Sequence, residues 1–389
     1  MTIEAASEKD AARPVRYGMI GGGEGAFIGA VHRIAARLDG RFALVAGALS
    51  SSAEKARRSG RALGLADERS YPDFAAMMAG EAGRPDGIEA VVIVTPNHVH
   101  VPAARAALEA GLHVICDKPL ADSLEAGLSL EPVVRGSARL FAVTYNYTAY
   151  PLVREARALV ASGALGTIRT VQAEYVQDWL TEKLEDTGHK QAEWRTDPAR
   201  SGAGGAIGDI GTHAFNLAEF ITGDTVASLA ADLTSFVEGR PVDDNAQILL
   251  RFASGARGSL WVSQVAPGHE NGLRIRIYGS KGSIRWGQEN PNELLYSPFG
   301  DTTRIVTRAG NGATAASSGL VRIPAGHPEG YLEAFATLYD EIADAIVAAR
   351  GGGRPDAGLV PGIDAGLRGL RFVSASIRSS RAGGVWTEV

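Results

Sequence analysis

Lys118 stands in VICDKPLA (Val114–Ala121), where an apolar run passes directly into an acid, a lysine and a proline. An amine at the end of a covered strand can hydrogen-bond a substrate hydroxyl or carbonyl and help move its proton. Pro119 locks the next backbone angle, and Asp117 sits beside the amine. Alone, a surface lysine at a strand end is the plainer reading. The second candidate group lies in GGAIGDIGTHAFNLAEF (Gly204–Phe220), where Asp209 and His213 are four residues apart and share one face of a helix. A carboxylate beside an imidazole sets its tautomer and basicity for proton abstraction. A helix cap with a core histidine, or half a metal site, would show the same spacing. The other histidines supply no completing ligand pattern, so no metal is expected.

A third group reads as a phosphate cradle. In IGGGEGAFIGAVH, Gly21, Gly23 and Ala26 satisfy G-x-G-x-x-A between an apolar run and a helical pattern that Phe27 and Ile28 open. Such glycines let the backbone approach a pyrophosphate, which then sits on the helix N-terminus. The ribose-selecting position falls at Ser50, after the second apolar run. A neutral serine followed by Lys55, Arg57 and Arg58 tolerates a 2′-phosphate, so the expected cofactor is NAD(P).

These residues need a scaffold. From Arg16 to about Asn146, nearly continuous apolar runs (VRYGMIG, FALVAGALS, IEAVVIVTP, LHVICDKP, RLFAVTYN) alternate with helical stretches at Ser52–Leu63, Val101–Ala110 and Ser123–Arg135. That grammar predicts parallel βαβ units in a doubly wound sheet. VTPNHVH (Val94–His100) and CDKPL then close the fourth and fifth strands, at the carboxyl edge that faces the ligand crevice. After about Tyr150, TIRTVQAEYVQDW, NAQILLRFASGARGSLWVSQV and LRIRIYGSKGSIRWG alternate in twos, predicting antiparallel hairpins in one large open sheet. Helices are expected at Ile210–Thr222, Tyr331–Arg350 and Ile363–Ala382, and a mobile loop at Ala309–Gly319. The fold class is an α/β dinucleotide-binding domain (14–146) followed by an α+β domain (147–389), whose last helices can pack back on the first.

Composition narrows the function. The 389 residues carry a net charge of -5, which disfavours nucleic acid and anionic membranes as partners. One cysteine, Cys116, excludes a disulfide framework. The leader MTIEAASEKDAAR lacks an apolar core, and no run is long enough to span a bilayer, so a cytoplasmic protein is expected.

The ordered set of glycine loop, TPN-x-x-H, [E/D]KP and D-x-x-x-H resembles the Gfo/Idh/MocA oxidoreductases over nearly the whole chain. The resemblance implies a Rossmann domain and an open-sheet domain that binds the substrate and mediates a homodimer or homotetramer. It implies reversible oxidation of a secondary hydroxyl on a sugar, glycoside or cyclitol. It makes Lys118, Asp209 and His213 the catalytic group, sets Thr95, Asn97, His100 and Asp117 on the nicotinamide side, and places Asn146 and Arg195 where such proteins contact substrate or cofactor. Three departures stand out. Asp117 replaces a glutamate and is shorter; the glycine loop is longer by about three residues before His32; Asn216 replaces a second acid. Tyr145, Tyr147, Tyr175, Trp179 and Trp194 would suit either sugar stacking or the core. Two other functions use the same scaffold: a glycoside hydrolase working through transient oxidation, and a non-catalytic NAD(P)-binding regulator.

Overall fold

In the computed structural model, which describes residues 13–350 and 353–389, the first apolar runs form five parallel strands. They are β1 (Val15–Gly21), β2 (Phe42–Ala48), β3 (Ala90–Val94), β4 (His113–Cys116) and β5 (Phe141–Val143), in the order β2-β1-β3-β4-β5. Because β3 and β4 are buried throughout, both faces must be covered, which is why these runs do not alternate. Helices α1 (Phe27–Leu38), α2 (Ala53–Ala62), α3 (Phe74–Glu81), α4 (His100–Glu109) and α5 (Leu124–Gly136) link the strands. The strands ending at VTPNHVH and CDKPL are therefore the third and fourth, not the fourth and fifth. Between β2 and Ala90 the chain makes only an isolated bridge, Gly47 with Ser70, so no extra strand forms there. Strand order reverses between β1 and β3, which opens the switch-point crevice where dinucleotides bind in such sheets. The acidic leader, residues 1–12, lies outside the described residues.

The chain divides into two compact units. One holds the chain up to Ala121 with Glu125–Thr144 and Phe335–Gly366; the other holds Asp122–Leu124, Tyr145–Ala334 and Leu367–Val389. In the first, α11 (Tyr331–Ala349) supplies buried Phe335 and Tyr339, and Arg41 pairs with Asp340 and Asp344.

The second unit is built on nine strands: β6 (Ile168–Val176), β7 (Val226–Thr234), β8 (Asn245–Phe252), β9 (Arg257–Ser263), β10 (Gly272–Gly279), β11 (Gly282–Gly287), β12 (Glu293–Pro298), β13 (Arg304–Thr307) and β14 (Thr387–Glu388). All pairs are antiparallel except one: β6 runs parallel to β9 while pairing antiparallel with β10. Period-two alternation predicts only hairpins there, because it does not specify which neighbour a strand takes. Alternation produces the two faces: on β8, Ala246, Ile248, Leu250 and Phe252 face the core, while Leu249 and Arg251 face out. The covered face packs on α6 (Pro151–Ala161), α9 (Thr212–Thr222) and α12 (Ile363–Arg381), with Phe215 of α9 stacked on Phe372 of α12 at 4.4 Å between centroids. Short helices α7 (Lys190–Arg195) and α8 (Pro198–Ser201) precede α9.

Ala309–Gly319 is not simply a mobile loop. Ala315–Ser318 forms the helical turn α10, because buried Glu155 accepts the Thr314 N–H and hydroxyl, both at 2.9 Å, and the Ser317 hydroxyl at 2.6 Å. Among the described residues, no helix is long and apolar enough to cross a membrane.

Candidate functional site

In the first unit the glycine loop closes the end of β1. Gly21 has φ +78°, and a Cβ there would lie 2.6 Å from the Val94 carbonyl oxygen. A Cβ on Gly23 would lie 2.5 Å from the Leu49 carbonyl oxygen, and the Gly23 N–H donates to that oxygen. Both positions demand glycine, and the result is a cradle with no side chain between backbone and ligand space. Ala26 lies just before α1, whose first residues, Phe27 and Ile28, are exposed and half-buried. Within the loop Glu24 and Gly25 form an exposed turn, where Glu24 pairs with Arg58 and its N–H bonds Ser59. Ser50 is half-buried, and its hydroxyl accepts the Ser52 N–H at 3.2 Å.

The edges of β3 and β4 supply the rest. The Thr95 methyl would lie 2.9 Å from a Cβ on Gly21, and its buried hydroxyl has no hydrogen-bond partner. An orphaned hydroxyl against a glycine cradle fits a dinucleotide that would complete it. Asn97 is buried in the turn after Pro96. His100, expected to line the cofactor, is 1% exposed, and both ring nitrogens are engaged by backbone carbonyls: Nδ1 at 2.8 Å from Pro119 and Nε2 at 2.9 Å from Thr95. A neutral ring can donate to only one of these carbonyls, and it sits packed between the β3 loop and the Lys118 turn. Burial pulls its pKa down against the opposing pull of Asp117.

Lys118 is half-buried, and the Lys118–Pro119 peptide is cis. Asp117 Oδ1 accepts the Lys118 N–H at 2.9 Å and the Thr144 hydroxyl at 2.8 Å. Burial alone would raise the Asp117 carboxyl, but His32, Lys118 and His100 outweigh it and hold it well below the usual carboxylate range. The shorter acid is therefore already occupied in bracing the turn.

In the second unit Asp209 lies in a single π-helical turn, Ile207–Gly211, that runs into α9, and His213 lies in the first turn of α9. Asp243 positions this junction: its carboxylate accepts the Gly205 N–H at 2.7 Å and the Ile207 N–H at 2.8 Å. Burial pushes Asp243 up to about 6 even so. The Asp209 carboxylate accepts Arg195 Nε at 3.2 Å and Gln264 Nε2 at 3.0 Å. Arg195, expected at the substrate, is thereby committed to Asp209 and to the face of Trp194, 4.3 Å from its centroid. Gln264 escaped the sequence reading.

His213 is buried among aromatic edges and faces, its ring 4.8 Å from Tyr147, 5.7 Å from Tyr145 and 6.0 Å from Tyr175. These three tyrosines are core, not free stacking platforms. Tyr147 and Tyr175 share a 2.6 Å hydroxyl contact, Tyr175 donates to Asn271 Oδ1, Gln177 donates to the same oxygen, and half-buried Trp179 donates to Gln177. Burial pushes Tyr147 up to about 12. Asn146, between Tyr145 and Tyr147 in sequence, is 1% exposed, and its amide nitrogen is buried without a hydrogen-bond partner. Asn216 is half-buried on α9. Among the described residues, no group of His, Cys, Asp or Glu could hold a metal ion.

Residues 15–145 match the NAD-binding Rossmann-fold domain of the GFO/IDH/MocA oxidoreductase family, and residues 153–285 match the family's C-terminal domain. The chain belongs to the GFO/IDH/MocA family. An oxidoreductase from Sinorhizobium meliloti is 52% identical with TM-score 0.87, the match covering 96% of this chain and 99% of that one. An inositol dehydrogenase homolog from Azotobacter vinelandii, solved with NADH and myo-inositol, is 38% identical with TM-score 0.90 over 98% of this chain and 99% of that one. A levoglucosan dehydrogenase from Pseudarthrobacter phenanthrenivorans is 32% identical over 72% of this chain and 75% of its own length. As a GFO/IDH/MocA protein the chain is an NAD-dependent oxidoreductase, and the cradle of Gly21 and Gly23 with the open hydroxyl of Thr95 is consistent with that cofactor.

Proposed function

We propose that the protein is an NAD(P)-dependent dehydrogenase that interconverts a secondary hydroxyl and a ketone on a sugar, glycoside or cyclitol. The observation that carries this reading is that the glycine cradle, Lys118, and the Asp209–His213 turn all persist in one chain with relatives that act on an anhydrosugar or bind myo-inositol. Bound nicotinamide supplies the hydride acceptor or donor. Lys118 polarises the reacting oxygen and stabilises developing alkoxide charge, while His213 takes or returns the hydroxyl proton. Arg195 and Gln264 both donate to the Asp209 carboxylate and so fix it just before α9, the helix that carries His213. Asn146, with its open amide nitrogen, and Trp179 serve substrate positioning. Ser50 and the bases after it leave NADP admissible beside NAD. The exposed side of the large sheet, with Leu249 at 55% and Ile305 at 58% exposure, supports a homodimer or homotetramer through that face.

The test is an absorbance screen at the reduced-nicotinamide band, crossing NAD and NADP with inositols, aldoses, anhydrosugars and glucosides. Lys118→Met should keep fold and dinucleotide binding while slowing turnover by about 10²–10⁴, the range for a positioned acid or base. Near-normal turnover in that variant removes Lys118 from the mechanism. Dinucleotide binding without turnover across the whole panel sinks the dehydrogenase reading.

A further inference from the structure

His32 has no role in the reading above, yet it is 0% exposed in the first unit. Its Nδ1 lies 2.8 Å from the Tyr339 hydroxyl, and its Nε2 lies 3.9 Å from Asp117 Oδ1. Tyr339 is fully buried, and burial holds its phenol well above the ordinary range, so the hydroxyl keeps its proton. A phenol that donates to Nδ1 leaves the ring proton on Nε2, the nitrogen that faces Asp117. The ring cannot easily turn away, because Phe335 and Tyr339 pack edge-on against it at 4.9 and 5.9 Å between centroids. At 3.9 Å the Nε2 contact is electrostatic rather than a full hydrogen bond, so its effects are charge and orientation.

Asp117 is where this contact is felt. It faces His32 from α1, His100 from α4, the Thr144 hydroxyl after β5, and its chain neighbours Lys118 and Cys116, whose thiol burial pushes up. Its Oδ1 also accepts the Lys118 N–H, so the carboxylate that His32 addresses is the one that fixes the lysine backbone.

We propose that Tyr339, His32 and Asp117 form an orienting relay for Lys118. Tyr339 selects the His32 tautomer, His32 presents Nε2–H to the carboxylate, and the carboxylate fixes the Lys118 turn. His32 and Tyr339 are positioning residues in this account. It rests on the proposed role of Lys118, and the relay's tautomer is a property that can be read without turnover.

The experiment compares His32→Leu, His32→Gln and Tyr339→Phe in the full chain, with pH profiles of kcat/KM, dinucleotide Kd, and imidazole nitrogen NMR. His32→Leu should lower kcat by about 10- to 100-fold, the range for losing the outer partner of an active-site side chain, with dinucleotide Kd little changed. Its acid limb should move to higher pH, because Asp117 loses a group that holds it ionised. His32→Gln can place an amide N–H toward Asp117 and should recover most of that loss. Tyr339→Phe should shift His32 from the Nε2–H toward the Nδ1–H form. A wild-type His32 found mainly as Nδ1–H overturns the relay. So do Leu and Gln variants with the same rate and pH profile. If His32→Leu does not fold, the wild-type and Tyr339→Phe spectra decide alone. Should Lys118→Met remain active while His32 is Nε2–H, the lysine reading fails and the relay stands.

Discussion

The turn that carries Lys118 and the turn that carries His213 solve the same problem with opposite chemistry. Around Lys118 the bracing groups are ionisable: Asp117 is held charged by His32, Lys118 and His100, with Thr144 donating to the same carboxylate. Around His213 the walls are neutral tyrosines whose phenols burial keeps protonated, linked to amides of Asn271 and Gln177. Charge fixes one turn through a few strong, partner-dependent contacts. The walls around the His213 ring are fixed by packing and by many ordinary hydrogen bonds, and carboxylates brace only the backbone before it, through Asp243 and the Asp209–Arg195 pair. The first should therefore break sharply when one partner is neutralised, and the second gradually.

The largest expected effect is on turnover. Asp209→Asn should lower kcat by about 10²–10⁴ with the fold kept, since it removes the negative charge that Arg195 and Gln264 fix four residues before His213. Gln264→Leu, which leaves that charge in place, should cost far less. Steady-state kinetics on the two variants separates them, and equal losses would mean that Asp209 acts only through its hydrogen-bond frame.

Next in size is the stability contrast. Asp117→Asn leaves His32 and His100 without their carboxylate and should lower unfolding free energy by about 2–4 kcal/mol, below the full buried-pair figure because the Asp117 side chain is 14% exposed. Tyr147→Phe removes one neutral hydrogen bond to Tyr175 and should cost only about 1 kcal/mol. Denaturant unfolding of both variants decides the matter. If the tyrosine change costs as much as the aspartate change, the distinction between charged and neutral bracing is wrong.

How far these regions could be read from the chain depended on how local their physics is. The glycine cradle and the βαβ sheet were legible because continuous apolar runs and a glycine spacing each report a local constraint. The single parallel pair, β6 with β9, was not, since alternation says which face is buried but not which neighbour a strand takes. Tyr339 lies 307 residues from His32, so no spacing rule could join them. The orientation of His100 was not legible for a related reason. Its motif put it at the right loop, but whether its nitrogens face ligand or backbone is decided by Pro119, beyond β4. Asn146, Asp209 and His213 stand out by their motifs, while Gln264 and Asn271, which hold the second turn's polar groups, sit at strand ends where polar residues are ordinary.

The smallest expected effect gives the two units opposite responses to acid. His113, at the start of β4, accepts the Leu140 N–H on Nδ1 at 2.9 Å, and burial pulls it down to about 4. The unfolded chain protonates this group near 6.5 while the native chain does not, so its contribution to stability is lost as pH falls from about 6.5 to about 4. Asp243 behaves in reverse. Burial raises it from 3.8 to about 6, so the native chain holds a proton that the unfolded chain releases, and stability from this group is lost as pH rises through that window. Each full shift corresponds to about 3–3.5 kcal/mol at roughly 1.4 kcal/mol per unit. Amide exchange at pH 4.5 and 7 should then show β3 and β4 opening more easily in acid, and the residues around Ile207 less easily. His113→Asn, which retains an acceptor near the Nδ1 position, should flatten only the first trend, and Asp243→Asn only the second. If both substitutions leave both trends intact, the acid response arises elsewhere, and the two units do not differ in how they carry buried charge.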